Sequence, residues 1–172
     1  MDDEANDPNA HFRQSVLRER IVEHVFVGEA LRRLWVKGVT DVEVLRSEFD
    51  AGGYDLVMSR ATVVRHIQFK TATSEGKALS IKASLKLQDK PSGCIVWILV
   101  TPGLELETYL WFGGAPGQPL PNITAMKVAK HTKANVLGVK TERPDHRVIR
   151  RSQFEKLDSL DAVLQRLFGK LP

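Results

Sequence analysis

Three places in the chain set acid, amide or ammonium side chains where packing alone would favour apolar ones: Glu29, Asp55, and the pair Gln68 and Lys70. At about 100° per residue, Glu29 lies between Val25 and Phe26 and nearly over Val22, on an apolar helical stripe. An unpaired carboxylate there costs on the order of several kcal/mol, so it is either paired or put to use. Arg33, four residues on, is the partner within reach. Asp55 follows the turn signal Asp50-Ala51-Gly52-Gly53, and an aspartate so placed commonly closes a turn through an Asx-type hydrogen bond. Gln68 and Lys70 share one face of a strand whose other face carries Ile67 and Phe69, as on any half-solvated strand. Each has a plain structural explanation by itself. Together they offer acid–base and electrostatic chemistry.

Other chemistries are excluded by what the chain lacks. Gly76-Lys77 has no glycine at the spacing of a phosphate loop. The segment Gly113-Gly114-Ala115-Pro116-Gly117 runs into a proline-rich loop instead of the helix that a dinucleotide fingerprint needs. No Gly-x-Ser-x-Gly elbow occurs. The five histidines are scattered, with no His-Glu-x-x-His pair for zinc. The one cysteine rules out an internal disulfide framework and a thiolate zinc cluster, and Cys94 reads as core within an apolar run.

With 172 residues, 42% of them hydrophobic and 27% charged, the chain has the composition of one soluble domain. The run Cys94 to Val100 is too short to cross a bilayer, and the acidic start Met1-Asp2-Asp3-Glu4 is unlike a secretory signal, so no membrane and a cytoplasmic location are the expectation. Charge is unevenly placed. Residues 1–58 carry seven basic and twelve acidic side chains, net −5, whereas residues 59–172 carry eighteen and nine, net +9. The second part can face a polyanion.

The elements that must position these groups follow from periodicity. Residues 1–11 read as a disordered acidic leader and 12–172 as a single domain. A helix is predicted from Phe12 to Lys37, with Val22, Phe26, Ala30 and Leu34 as its stripe, Gly28 as a site for a bend and Gly38 as its stop. Strands follow at Val42–Arg46, Tyr54–Met58 and Thr62–Thr71, a three-stranded meander. Residues 78–90 fit an amphipathic helix slightly better than an alternating strand. Cys94–Val100 is a strand buried on both faces, central in a sheet covered by helices, and Thr108–Phe112 closes that sheet. Residues 113–121 form a Gly/Pro loop. A basic C-terminal extension spans 122–172, with eight lysines and arginines against two acids in 127–151. It ends in a helix near Leu157–Phe168 that buries Leu160, Val163, Leu164 and Leu167.

A helix carboxylate, an aspartate on the second strand of a meander and Gln-x-Lys on the third resemble the PD-(D/E)XK nuclease superfamily. The resemblance rests on Glu29, Tyr54-Asp55 and Gln68-Phe69-Lys70 and covers residues 12–112. It implies an α/β restriction-endonuclease-like core (helix, three-stranded meander, helix, strand) around a mixed central sheet flanked by helices. It further implies a Mg²⁺- or Mn²⁺-dependent nuclease that hydrolyses phosphodiester bonds in DNA. Asp55 would be the central metal ligand, Gln68 a second through its amide oxygen, and Glu29 a third, directly or through water. Lys70 would orient or activate the attacking water and balance phosphate charge. Tyr54 stands where the superfamily usually has proline, and Gln68 where it has an acid; the latter removes a negative charge and weakens the grip on a divalent ion. Lys77, Lys82, Lys86, Lys130, Lys133, Lys140, Arg143, Arg147, Arg150 and Arg151 then become candidates for tracking phosphates. Cutting both strands would call for a homodimer, but no dimer seam is legible. Two readings compete: a non-catalytic nucleic-acid-binding module on the same fold, and a protein-interaction domain within a bacterial defence or toxin system.

Overall fold

The computed structural model describes residues 14–49, 52–132, 134, 136 and 138–172; the acidic leader and Lys133 lie outside them. Helix α1, Ser15–Val36, runs unbroken through Gly28 and buries Val22, Phe26, Ala30 and Leu34, the stripe expected from spacing. It stops where Gly38 takes a left-handed φ of +72° and the Gly38 and Val39 amides bond back to Trp35 and Leu34. The antiparallel strands β1 (Val42–Arg46), β2 (Leu56–Arg60) and β3 (Val63–Thr73) form the expected meander.

Two elements depart from expectation. Residues 80–84 form strand β4 (Ser80–Ser84), and only Leu85–Gln88 is helical, the short α2 capped by the Ser84 hydroxyl. Strand wins because Ile81 and Ala83 point into a core while Lys82 points out, an alternation that a helix would scramble. The basic stretch also folds into a sheet. Strands β7 (Val128–Lys130) and β8 (Glu142–Arg150) pair antiparallel, and β8 carries β4 on its other side, giving the order β4-β8-β7.

The main sheet has the order β1-β2-β3-β5-β6-β9, with β5 (Gly93–Val100), β6 (Leu106–Gly113) and β9 (Glu155–Leu157). It is mixed: β5 runs parallel to β3, and the other pairings are antiparallel. All eight residues of β5 are buried, as its unbroken apolar run required. One face of this sheet packs against α1 and α3 (Leu160–Phe168), with Ile67, Phe69, Val96 and Ile98 against Phe26, Val163 and Leu167. The opposite face is covered by the small sheet, with Ile95, Trp97 and Leu99 meeting Ile81, Ala83 and Ile149. The two longer helices therefore flank one face, and the short α2 with its buried Leu87 lies with the small sheet on the other. No helix among the described residues is long and apolar enough to cross a membrane.

A buried arginine locks these layers together. Arg65 on β3 has no exposed surface, and its guanidinium donates to the carbonyls of Leu167, Arg166, Gly114 and Gln118 and to the Ser92 hydroxyl, at 2.8–3.3 Å. These bonds hold the end of α3 and the Gly/Pro loop against the sheet. Burial pulls the guanidinium below the usual arginine range, Cys94 opposes the shift, and the Trp111 ring lies 5.4 Å away.

Candidate functional site

Strand β3 sorts its side chains by alternation. Ile67 and Phe69 turn into the helix-side core, where Phe69 meets Phe26 edge-to-face at 5.0 Å between centroids. Gln68 and Lys70 turn to the other face and line a cleft of about 620 Å³ between β3 and the small sheet. Gly53 is at its edge with φ +71°, and a Cβ there would come within 2.9 Å of the Ser84 Cβ, so only glycine fits both the turn and the close approach.

Asp55 sits just before β2, where the regular ladder has stopped. Leu56 pairs with Ile67, and one step further Asp55 stands across from Gln68. Its backbone N–H donates to the Ile67 carbonyl at 2.8 Å, and its carboxylate Oδ2 accepts from the Phe69 N–H at 2.6 Å. The side chain thus continues the ladder by one bond and fixes its carboxylate beside the backbone that joins Gln68 to Lys70. The Oε1 of Gln68 is buried and has no hydrogen-bond donor among the described residues. Backbone pairing therefore sets Asp55 beside the stretch that bears Gln68 and Lys70, while the cleft itself is lined by Gln68 and Lys70 and not by Asp55.

Glu29 is not. Helix α1 covers the sheet face opposite the one bearing Gln68 and Lys70. Glu29 is exposed there, 3.9 Å from Arg32, and close enough to Tyr109 on β6 that its charge adds to the burial holding that phenol up at about 12. Arg33, the partner expected from spacing, instead reaches Asp161 of α3 at 3.2 Å. The buried glutamate of α1 is Glu23, on the other flank of the same stripe, held by Arg20 at 3.2 Å and by Arg46 of β1. It is sealed because β1 covers its flank, a tertiary fact that helical periodicity does not contain.

The small sheet supplies the second wall of the cleft: Lys82 of β4, Lys86 of α2, Thr132, and Arg143, Asp145 and His146 of β8. Four basic side chains, Lys70 included, face one carboxylate. Lys82 Nζ donates to the Lys130 carbonyl and to Thr132 Oγ1, which ties β4 to the end of β7. Arg143 Nη2 lies 2.9 Å from His146 Nε2; a guanidinium only donates, so that ring nitrogen accepts.

The other basic candidates stand outside the cleft. Arg147 gives its guanidinium to the carbonyls of Thr124, Pro144 and His146 and braces the sheet. Arg150 is paired opposite Ser80, four residues along β8 from the Ser84–His146 pair beside the cleft. Lys77 follows the end of β3, and Lys130 is exposed at the end of β7.

Sequence reasoning missed Asp145, His146 and Thr132, because nothing in 127–151 marked a sheet that folds back over β3. It also passed over His66, one pleat from Gln68, whose ring meets Tyr54 edge-to-face at 5.0 Å and whose Nδ1 is buried without a partner. Burial, and then the charge of Lys90, lower the His66 pKa below the usual histidine value. Among the described residues no group of three His, Cys, Asp or Glu side chains is placed to hold a metal ion. On the β2–β3 side, the Asp55 carboxylate and the Gln68 amide are the hard oxygen donors nearest in register to Lys70. No family model, curated protein or solved structure matches the chain.

Proposed function

We propose that the protein is a metal-dependent nuclease that hydrolyses phosphodiester bonds in DNA, built on a restriction-endonuclease-like core of the PD-(D/E)XK type. The observation that carries the reading is Asp55, bonded to the Phe69 N–H of β3, set across from Gln68 on the strand whose Gln68 and Lys70 line a basic cleft. The order of helix, antiparallel meander, short helix and parallel β5 supports it. A buried amide oxygen without a donor is costly unless something else satisfies it, and a hard divalent cation shared with Asp55 does so. Bound there, Mg²⁺ or Mn²⁺ would supply a water of lowered pKa and stabilise charge developing on phosphorus. Lys70 holds the phosphate beside that pair, and Lys82, Lys86 and Arg143 draw the backbone in. Glu29 takes no part in this reading.

The test is cleavage of plasmid and oligonucleotide DNA with Mg²⁺ or Mn²⁺. Wild type cuts, and Asp55→Ala and Lys70→Ala do not; no cleavage by wild type, or cleavage kept by both variants, refutes the proposal. One observation favours a second reading, nucleic-acid binding without hydrolysis. With Glu29 on the far face, Asp55 is the single carboxylate left of the three expected ligands. That reading requires tight, salt-steep binding with no metal, unchanged by Asp55→Asn.

A further inference from the structure

The walls of the cleft have a consequence for which form of nucleic acid enters it. Lys70 lines the cleft from the main sheet, and Lys82, Lys86 and Arg143 line it from the small sheet and α2, so its lining is basic on both sides. At about 620 Å³ the cleft falls within the roughly 300–1,000 Å³ of pockets that enclose a drug-sized ligand. That is room for one or two nucleotides. A duplex carries two phosphate rows, about one charge per 1.7 Å of axis, and room for one or two nucleotides does not take in both rows. It meets a flat or convex basic face well and a two-walled slot badly. A single strand has one phosphate row that both walls can hold at once.

We infer that the cleft admits one unpaired nucleic-acid strand and excludes intact duplex, with Arg143 gripping a phosphate neighbouring the one at Lys70. This rests on the nucleic-acid reading above. Arg143 suits the task where Arg147, four residues on, does not: Arg147 is spent on backbone carbonyls, whereas among the described residues Arg143 gives a donor to His146 alone and has the rest of its fork for the cleft. His146 acts as a positioning residue, because its Nε2 fixes the direction of the Arg143 guanidinium. Asp145 is the lone carboxylate of the lining and bars a phosphate from its own part of the wall.

The experiment is fluorescence anisotropy at low salt in EDTA, so that binding is measured with no metal and no cleavage. The probes are a labelled 14-nucleotide single strand, the same sequence as a blunt duplex, and that duplex with a single-stranded overhang. The single strand and the overhang are expected to bind at least about tenfold tighter than the blunt duplex. Arg143→Ala should weaken single-strand binding about tenfold and lower its salt slope by about one. Arg143→Lys should restore part of the affinity and the whole salt slope, and His146→Ala should cost a few-fold in affinity with the salt slope unchanged. The wild-type comparison of strand and duplex depends on no variant. Equal or tighter binding of blunt duplex overturns the inference and leaves the nuclease reading standing. No binding of any probe overturns both. Strand preference without cleavage in the metal assay upholds the inference and refutes the nuclease.

Discussion

Asp55 braces the backbone of β3 and, on the nuclease reading, holds a metal ion, and the two roles separate when its oxygens and its charge are removed one at a time. Its Oδ2 accepts from the Phe69 N–H at 2.6 Å, and a hydrogen bond to an ionised acceptor contributes about 1.5–3 kcal/mol. Asp55 is exposed, so the lower end applies. Asp55→Ala therefore costs about 1.5 kcal/mol, and at about 2–4 °C per kcal/mol for a chain of this size the melting temperature falls by about 3–6 °C. Asp55→Asn keeps an oxygen facing the amide but loses the charge. It should cost about 0.5–1 kcal/mol, or about 1–4 °C. The nuclease reading sets the opposite condition on activity, since metal binding needs the charge and not merely the oxygen. Both variants should lose at least about a hundredfold in cleavage. The measurements are thermal melts by circular dichroism and plasmid nicking with Mg²⁺ and Mn²⁺. Cleavage by Asp55→Asn within tenfold of wild type refutes the ligand role, and Asp55→Ala melting with wild type refutes the brace.

Arg65→Leu leaves four carbonyls and the Ser92 hydroxyl without their donor, a loss of about 4 kcal/mol that lowers the melting temperature by about 8–16 °C. Arg65→Lys should recover less than half of that, because three donors on a flexible stem do not reproduce a planar fork; a lysine variant as stable as wild type would show that charge alone matters. Glu23→Gln strands Arg46 and Arg20 beside a neutral amide and should cost about 2 kcal/mol, below the usual loss for a buried pair since both arginines reach solvent. His66 has a folded pKa lowered by burial and by Lys90, so its stability is present above the unfolded value near 6.5 and is lost as pH falls through the folded value. Urea midpoints measured between pH 7.5 and 5 should fall on acidification and fall less in His66→Gln. Cys94 and Tyr109, both held up at about 12 chiefly by burial, act in the other direction: their contribution is full below their ordinary values and is lost as pH climbs towards 12. Cys94→Ala should flatten the alkaline limb of the same curve.

What the sequence made legible was whatever a short window decides. The stripe of α1, its stop at Gly38, the meander, the buried β5 and the alternation that sends Gln68 and Lys70 away from Phe69 all follow from local periodicity and turn chemistry, and the structure has them. Failures came where the outcome depends on which distant element arrives. Glu23 and Glu29 flank one apolar stripe symmetrically, three residues either side of Phe26, so no reading of the helix alone chooses between them; β1 arrives on the side of Glu23, and α3 and β6 arrive on the other. Likewise 78–90 has a helical and a strand pattern of nearly equal merit, and its pairing partner β8 lies more than sixty residues on. That single long-range pairing converts a basic tail into the second wall of the cleft. It also divides the arginines of β8, turning Arg143 towards the slot and Arg147 towards the backbone. The identity of a basic residue is thus a poor guide to phosphate contact in this chain. The number of its donors left over, among the described residues, once the fold has taken its share is the better one, and by that measure Arg143 and Lys70 outrank Arg147 and the wholly committed Arg65 as the groups whose loss should weaken binding if the nucleic-acid reading holds.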